Sequence, residues 1–132
     1  MLKSVGVVLG SYVLSIVLVL CSDGLLSAMF PGDFANGRVP SDVALMASTA
    51  FFVLVSILCA WVCARFAPGR ATSHVFWFAM LGEAMGLFAT IANWNKGWPH
   101  WYFLSWMVTW PISCYLGLLL GRRRARSLAV VA

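Results

Sequence analysis

Charge is what this sequence has least of. Only 10% of its 132 residues are Asp, Glu, Lys or Arg, against roughly 25% in a soluble domain. That excludes a surface covered by water. Acidic residues are fewest: Asp23, Asp33, Asp42 and Glu83 are all there are. There is no long polar stretch, and so no room for a separate soluble catalytic domain. Residues 1–132 read as one domain, and any chemistry would take place within or at the edge of a membrane. The cysteines Cys21, Cys59, Cys63 and Cys114 form no C-x-x-C pair, so the usual thiol–disulfide signature is missing. Nucleophile-and-base pairs, metal-ligand spacings and Gly-rich phosphate loops are missing as well. No catalytic residue, metal or cofactor is expected.

What remains is apolar. Hydrophobic residues make up 62% of the chain, and its mean hydropathy is +0.91. A helix needs about 20 apolar residues to cross the hydrocarbon core of a bilayer. Four runs qualify, at about 5–21, 43–64, 74–93 and 101–120. None alternates polar and apolar residues as a barrel strand does. The expected fold is all-α, an integral membrane four-helix bundle.

The basic residues set the expected direction. Lys3, Arg65, Arg70, Arg122, Arg123, Arg124 and Arg126 fall on one side, while Arg38 and Lys96 fall on the other beside three aspartates. The positive-inside rule then puts both termini in the cytoplasm. A net charge of +5 can suggest nucleic acid, but here the basic residues flank apolar spans and form no soluble basic face. Anionic lipid is the expected partner, bound chiefly by Arg122, Arg123, Arg124 and Arg126. The composition resembles that of many small bacterial inner-membrane proteins.

The N-terminal run ending Leu18-Val19-Leu20-Cys21 resembles a lipoprotein signal. Such signals want a small residue before the cysteine, and Leu20 is large, so the run is read as a span. Residues 22–42 carry Pro31-Gly32-Asp33, Asn36-Gly37 and Pro40, which are turn residues. Leu25, Leu26, Met29 and Phe30 are expected on the membrane surface, and Ser41 with Asp42 is expected to cap the second helix. Trp94, Trp98, Trp101 and Tyr102 fit an interfacial aromatic belt, with an aromatic cage for a cation as the alternative. His74 and His100 are expected at opposite ends of the bundle as interfacial polar residues.

Small residues mark helix contacts in lipid, where backbones must approach closely. Gly6 and Gly10, Gly82 and Gly86, and Gly117 and Gly121 each form G-x-x-x-G, and Ser56, Ala60 and Ala64 repeat the interval on the second span. They point to a tightly packed bundle or to self-association. Cys59 and Cys63 belong with these small packing residues.

Glu83 is the one acid inside an apolar run. Such a residue is costly in a membrane and faces a partner or a cavity. On the third helix Phe76, Ala79, Met80, Gly86, Leu87 and Thr90 share its side, and Phe78, Leu81, Met85, Phe88 and Ala92 fall opposite. Its expected neighbours are Ser11, Tyr12, Ser15, Ser56, Thr90, Thr109, Ser113 and the carbonyl of Met107, which Pro111 leaves without its usual donor. With no Lys or Arg at that depth, the carboxyl is expected to stay protonated near neutral pH and to donate a hydrogen bond.

The first functional expectation is a structural, accessory or self-associating membrane subunit, as a homo-oligomer or within a larger complex. The alternative is a proton-coupled small transporter or ion-conducting oligomer that uses Glu83. A short four-span chain with one membrane glutamate is similar in architecture to the small multidrug-resistance transporters. Their glutamate lies on the first helix, whereas this one lies on the third. A membrane-embedded enzyme is the lesser alternative.

Overall fold

The computed structural model describes residues 2–33 and 39–131, with side chains through Arg122. Four helices follow one another: α1 (Leu2–Met29), α2 (Asp42–Phe66), α3 (Ala71–Asn93) and α4 (His100–Val131). No strand occurs among the described residues. All four helices are long and apolar enough to cross a membrane. The turn at Asn36-Gly37, Arg38, and the side chains of Arg123, Arg124 and Arg126 lie outside the described residues.

All four expected spans lengthen, α2 the least, by one residue at its start and two at its end. α1 runs eight residues past Cys21 to Met29, because nothing between Ser22 and Met29 breaks a helix except the single tolerated Gly24. Leu26 is therefore not a surface anchor. It is fully buried. α3 starts three residues early, at Ala71, and α4 continues beyond Leu120 to Val131.

The connections follow local chemistry. Ser41 caps α2 as expected, its Oγ accepting from the Ala44 amide at 3.4 Å. The Asp33 carboxylate accepts from the Ser41 amide at 3.1 Å and from its hydroxyl at 2.8 Å, which closes the first loop onto that cap. Gly69 (φ 90) and Gly97 (φ 82) turn the other two links, a backbone region that residues with a Cβ rarely enter.

The tightest helix pair is α2 with α4. Ser48 and Tyr102 share a hydrogen bond at 2.9 Å, and the Phe52 and Trp106 rings lie 5.8 Å apart. Further along, a Cβ placed on Gly117 would meet the Ala60 Cβ and the Ile57 carbonyl oxygen, both at 2.6 Å. One on Gly121 would meet the Ala64 Cβ at 2.8 Å. Residue numbers rise together along this seam, so the two helices run parallel. Close backbone contact gives the dispersion that holds helices together where no hydrophobic gain is available.

α3 seals the other side. A Cβ on Gly82 would overlap the Trp110 indole, whose Nε1 donates to the Ala79 carbonyl at 2.9 Å. The same ring lies 5.2 Å from Phe78 and 5.7 Å from Phe52. Cys59, Cys63, Cys114, Val75 and Leu118 complete this core. The arrangement corrects the expected faces of α3. Phe78 points inward and is fully buried, while Phe76, Met80 and Leu87 are exposed. Polarity does not tell inside from outside when the exterior is also apolar, and the fit of Trp110 against Gly82 decides the rotation.

α1 is the least packed helix; only Ser11, Ser15 and Leu26 are buried. Its backbone lies close to α2 and α3 but not to α4, so one diagonal of the bundle stays wide. Gly6, Gly10 and Gly86 have no atom within 4 Å of an added Cβ. Among the described residues these three therefore mark no close helix approach, unlike Gly82, Gly117 and Gly121.

Candidate functional site

The wide diagonal holds a cavity of about 370 Å³ near the middle of the bundle. Glu83 reaches it from α3, beside the inward row that contains Gly82 and Gly86. Tyr12 and Ser15 reach it from α1, Ser56 from α2 and Met107 from α4. Five of the expected residues thus come together. Ser11, Thr90, Thr109 and Ser113 do not line the cavity. Ser113 is buried, and Thr109 donates to its own helix at the Ser105 carbonyl, 2.7 Å away.

Among the described residues, the expected hydrogen bond from Glu83 is not formed. Its Oε2 is enclosed and has no partner. The two serine hydroxyls are engaged locally: Ser15 donates to the Tyr12 carbonyl at 2.7 Å and Ser56 to the Phe52 carbonyl at 2.6 Å. Each bond keeps the hydroxyl against its own helix, as serine does in helix interiors. Tyr12 and Glu83 are the only titratable side chains lining this cavity among the described residues, and no basic side chain lines it. The rest of the wall is aliphatic or aromatic.

A second space of about 510 Å³ lies at the end of the bundle that carries the α3–α4 link. Its wall is more polar, with Ser22, Asp23, Ser48, Asn93, Trp98 and Tyr102. Val19, Phe52, Ala89 and Trp106 line both spaces and so form the partition between them. Trp106 Nε1 is enclosed without an acceptor. The partition therefore carries an unused donor, and the deeper cavity an unused acceptor.

The aromatic residues divide differently from the expected belt. Trp94 stacks on His100 at 4.1 Å and Trp101 remains exposed, whereas Tyr102 is buried because Ser48 satisfies its hydroxyl. Trp98 stacks on Tyr102 at 5.8 Å. His74 is also buried, with Nδ1 facing the Arg70 carbonyl at 3.0 Å. Arg122, expected at lipid head groups, donates to Thr72 Oγ1 at the start of α3. Sequence reasoning missed Phe52, Trp106, Trp110 and Asp23 as cavity residues. Tyr102, Trp106 and Trp110 recur every fourth residue on α4, which was the legible signal for an inward aromatic row.

Fold and site together define a four-helix protein, apolar enough to cross a membrane, with an acid-bearing cavity between its helices. No protein-family model, curated protein or solved structure matches the chain.

Proposed function

We propose that this chain is a multi-pass membrane protein that binds a small lipophilic cation at Glu83 in exchange for the carboxyl proton. Such a site is the core of a proton-coupled transporter. The observation that carries the reading is the enclosed Glu83 Oε2, which lacks any partner in a largely apolar cavity. A glutamate kept for packing alone would spend its carboxyl on a hydrogen bond, since an unsatisfied buried polar group is costly. Two states of the site are electrically neutral: carboxyl with proton, and carboxylate with cation. The empty ionised state leaves an unpaired charge in apolar surroundings and is disfavoured. Proton and cation therefore replace each other at one site.

The positive-inside rule puts the Lys3, Arg65 and Arg70 end of the bundle in the cytoplasm, together with both termini, in an inner (plasma) membrane. The end with Asp23 then faces outward. The arginines in the C-terminal part of α4 hold anionic lipid, each contributing about 1 kcal/mol near such a surface.

Proton release tests the exchange. N-methylquinolinium, a permanently charged aromatic cation, is added to the purified protein in weakly buffered detergent solution. One proton should appear per cation bound, and Glu83→Gln should abolish the release. Since Oε2 has no hydrogen bond to lose, the variant should fold normally. Binding without proton release, or release that survives Glu83→Gln, refutes the exchange.

A second reading is a self-associating membrane subunit. The open surface at Gly6 and Gly10 supports it, since a helix from another chain can approach α1 closely there. Native mass spectrometry of the wild type and of Gly10→Leu measures it, and loss of an oligomer in the variant is the supporting result.

A further inference from the structure

We infer that the space at the α3–α4 link end is a separate entry station for lipophilic monocations, with Asp23 as its counter-charge. This rests on the Glu83 reading for where the cation goes next, but the station itself stands on its own geometry. Asp23 lines the space, and no basic side chain lines it with Asp23 among the described residues. Asn93 donates through Nδ2 to the Ala89 carbonyl at 2.7 Å, so its Oδ1 is left as an acceptor. The Trp98 and Tyr102 rings, stacked within 18° of parallel, add aromatic surface of the kind that attracts cations. A carboxylate, an amide oxygen and π faces without a basic group select positive charge and repel anions.

The station also connects to the deeper site. Val19, Phe52, Ala89 and Trp106 belong to both walls, so the space beside Asp23 adjoins the one beside Glu83. The two carboxyl groups lie at successive depths, one at the mouth and one at mid-bundle. A cation held first by Asp23 gains a second counter-charge on passing the Trp106 indole. Trp106 carries the largest side chain of the four, and its enclosed Nε1 makes no well-formed hydrogen bond among the described residues.

Thiol labelling tests the station without reference to proton exchange. Cys21 is exposed, whereas Cys59, Cys63 and Cys114 are buried, so Cys21→Ser supplies a quiet background. In it, Asn93→Cys and, independently, Ser22→Cys place a thiol on the wall, and two positions guard against a variant that fails to fold. Each is treated with methanethiosulfonates carrying either a trimethylammonium or a sulfonate group. The cationic reagent should react at least about tenfold faster, in keeping with electrostatic focusing in clefts of one charge sign. Asp23→Asn should remove most of that preference, and N-methylquinolinium should protect the thiol. Equal rates for the two reagents, or a preference that survives Asp23→Asn, overturns the entry station even where proton release from Glu83 is observed. Charge-selective, Asp23-dependent labelling without proton release upholds the station and removes the exchange reading alone.

Discussion

Replacing Gly117 with alanine probes the seam between α2 and α4. The new methyl would lie 2.6 Å from both the Ala60 Cβ and the Ile57 carbonyl oxygen, where ordinary carbon contacts are about 3.5–4.0 Å. Neither neighbour is the end of a flexible chain, so the helices must separate by about 1 Å. A gap of that size forfeits roughly a quarter to a half of each dispersion contact along the seam. Overpacking of this kind costs about 1–3 kcal/mol, and the better helix propensity of alanine offsets up to about 1 kcal/mol. The net loss should be about 1–2 kcal/mol, or roughly a 5- to 30-fold fall in the folded-to-unfolded ratio. Gly10→Ala is the control, because an added Cβ there meets nothing; it should be neutral or slightly stabilising. Unfolding in mixed micelles with rising dodecyl sulfate, followed by tryptophan fluorescence, gives both values. Adding Ala60→Gly to Gly117→Ala should recover part of the loss, the rest staying with the Ile57 carbonyl. Equal stability of the Gly117→Ala and Gly10→Ala proteins would refute the close seam.

Two further outcomes follow from the same packing. Ser48→Ala leaves the buried Tyr102 hydroxyl without its partner and should cost about 1 kcal/mol. Tyr102→Phe in addition should restore part of it, and a double-mutant cycle in the same unfolding assay measures the coupling. Cys21 should react with maleimide in the folded protein, while Cys59, Cys63 and Cys114 should react only as it unfolds, which mass spectrometry of timed labelling resolves; reaction of all four at one rate would contradict the core.

How much of the site was legible depends on the residue. Glu83 stood out because an isolated acid in an apolar run has few benign explanations. Four of its expected neighbours at mid-depth, Tyr12, Ser15, Ser56 and Met107, do reach its cavity, since depth can be counted at a fixed rise per residue. Ser11, Thr109 and Ser113 lie at similar depth and miss it, because depth says nothing about helix rotation. The same ambiguity put Phe78 on the wrong face. In water an apolar stripe reveals the inward side; here every side is apolar.

The sequence by itself determined the number of helices, their rough extents and the cap at Ser41, because these depend on local composition, length and turn chemistry. The positions of Lys and Arg likewise set the expected orientation. Tertiary structure alone decided which glycines are contacts. Gly117 and Gly121 accept α2 and Gly82 accepts the Trp110 indole, while a Cβ on Gly6, Gly10 or Gly86, in the same motif, would meet no described atom within 4 Å. It alone left α1 apart from α4 and opened the space that Glu83 enters. A spacing motif states only that close approach is allowed. Which helix uses it is set by the shapes of residues far away in the chain, above all the large rings of Phe52, Trp106 and Trp110.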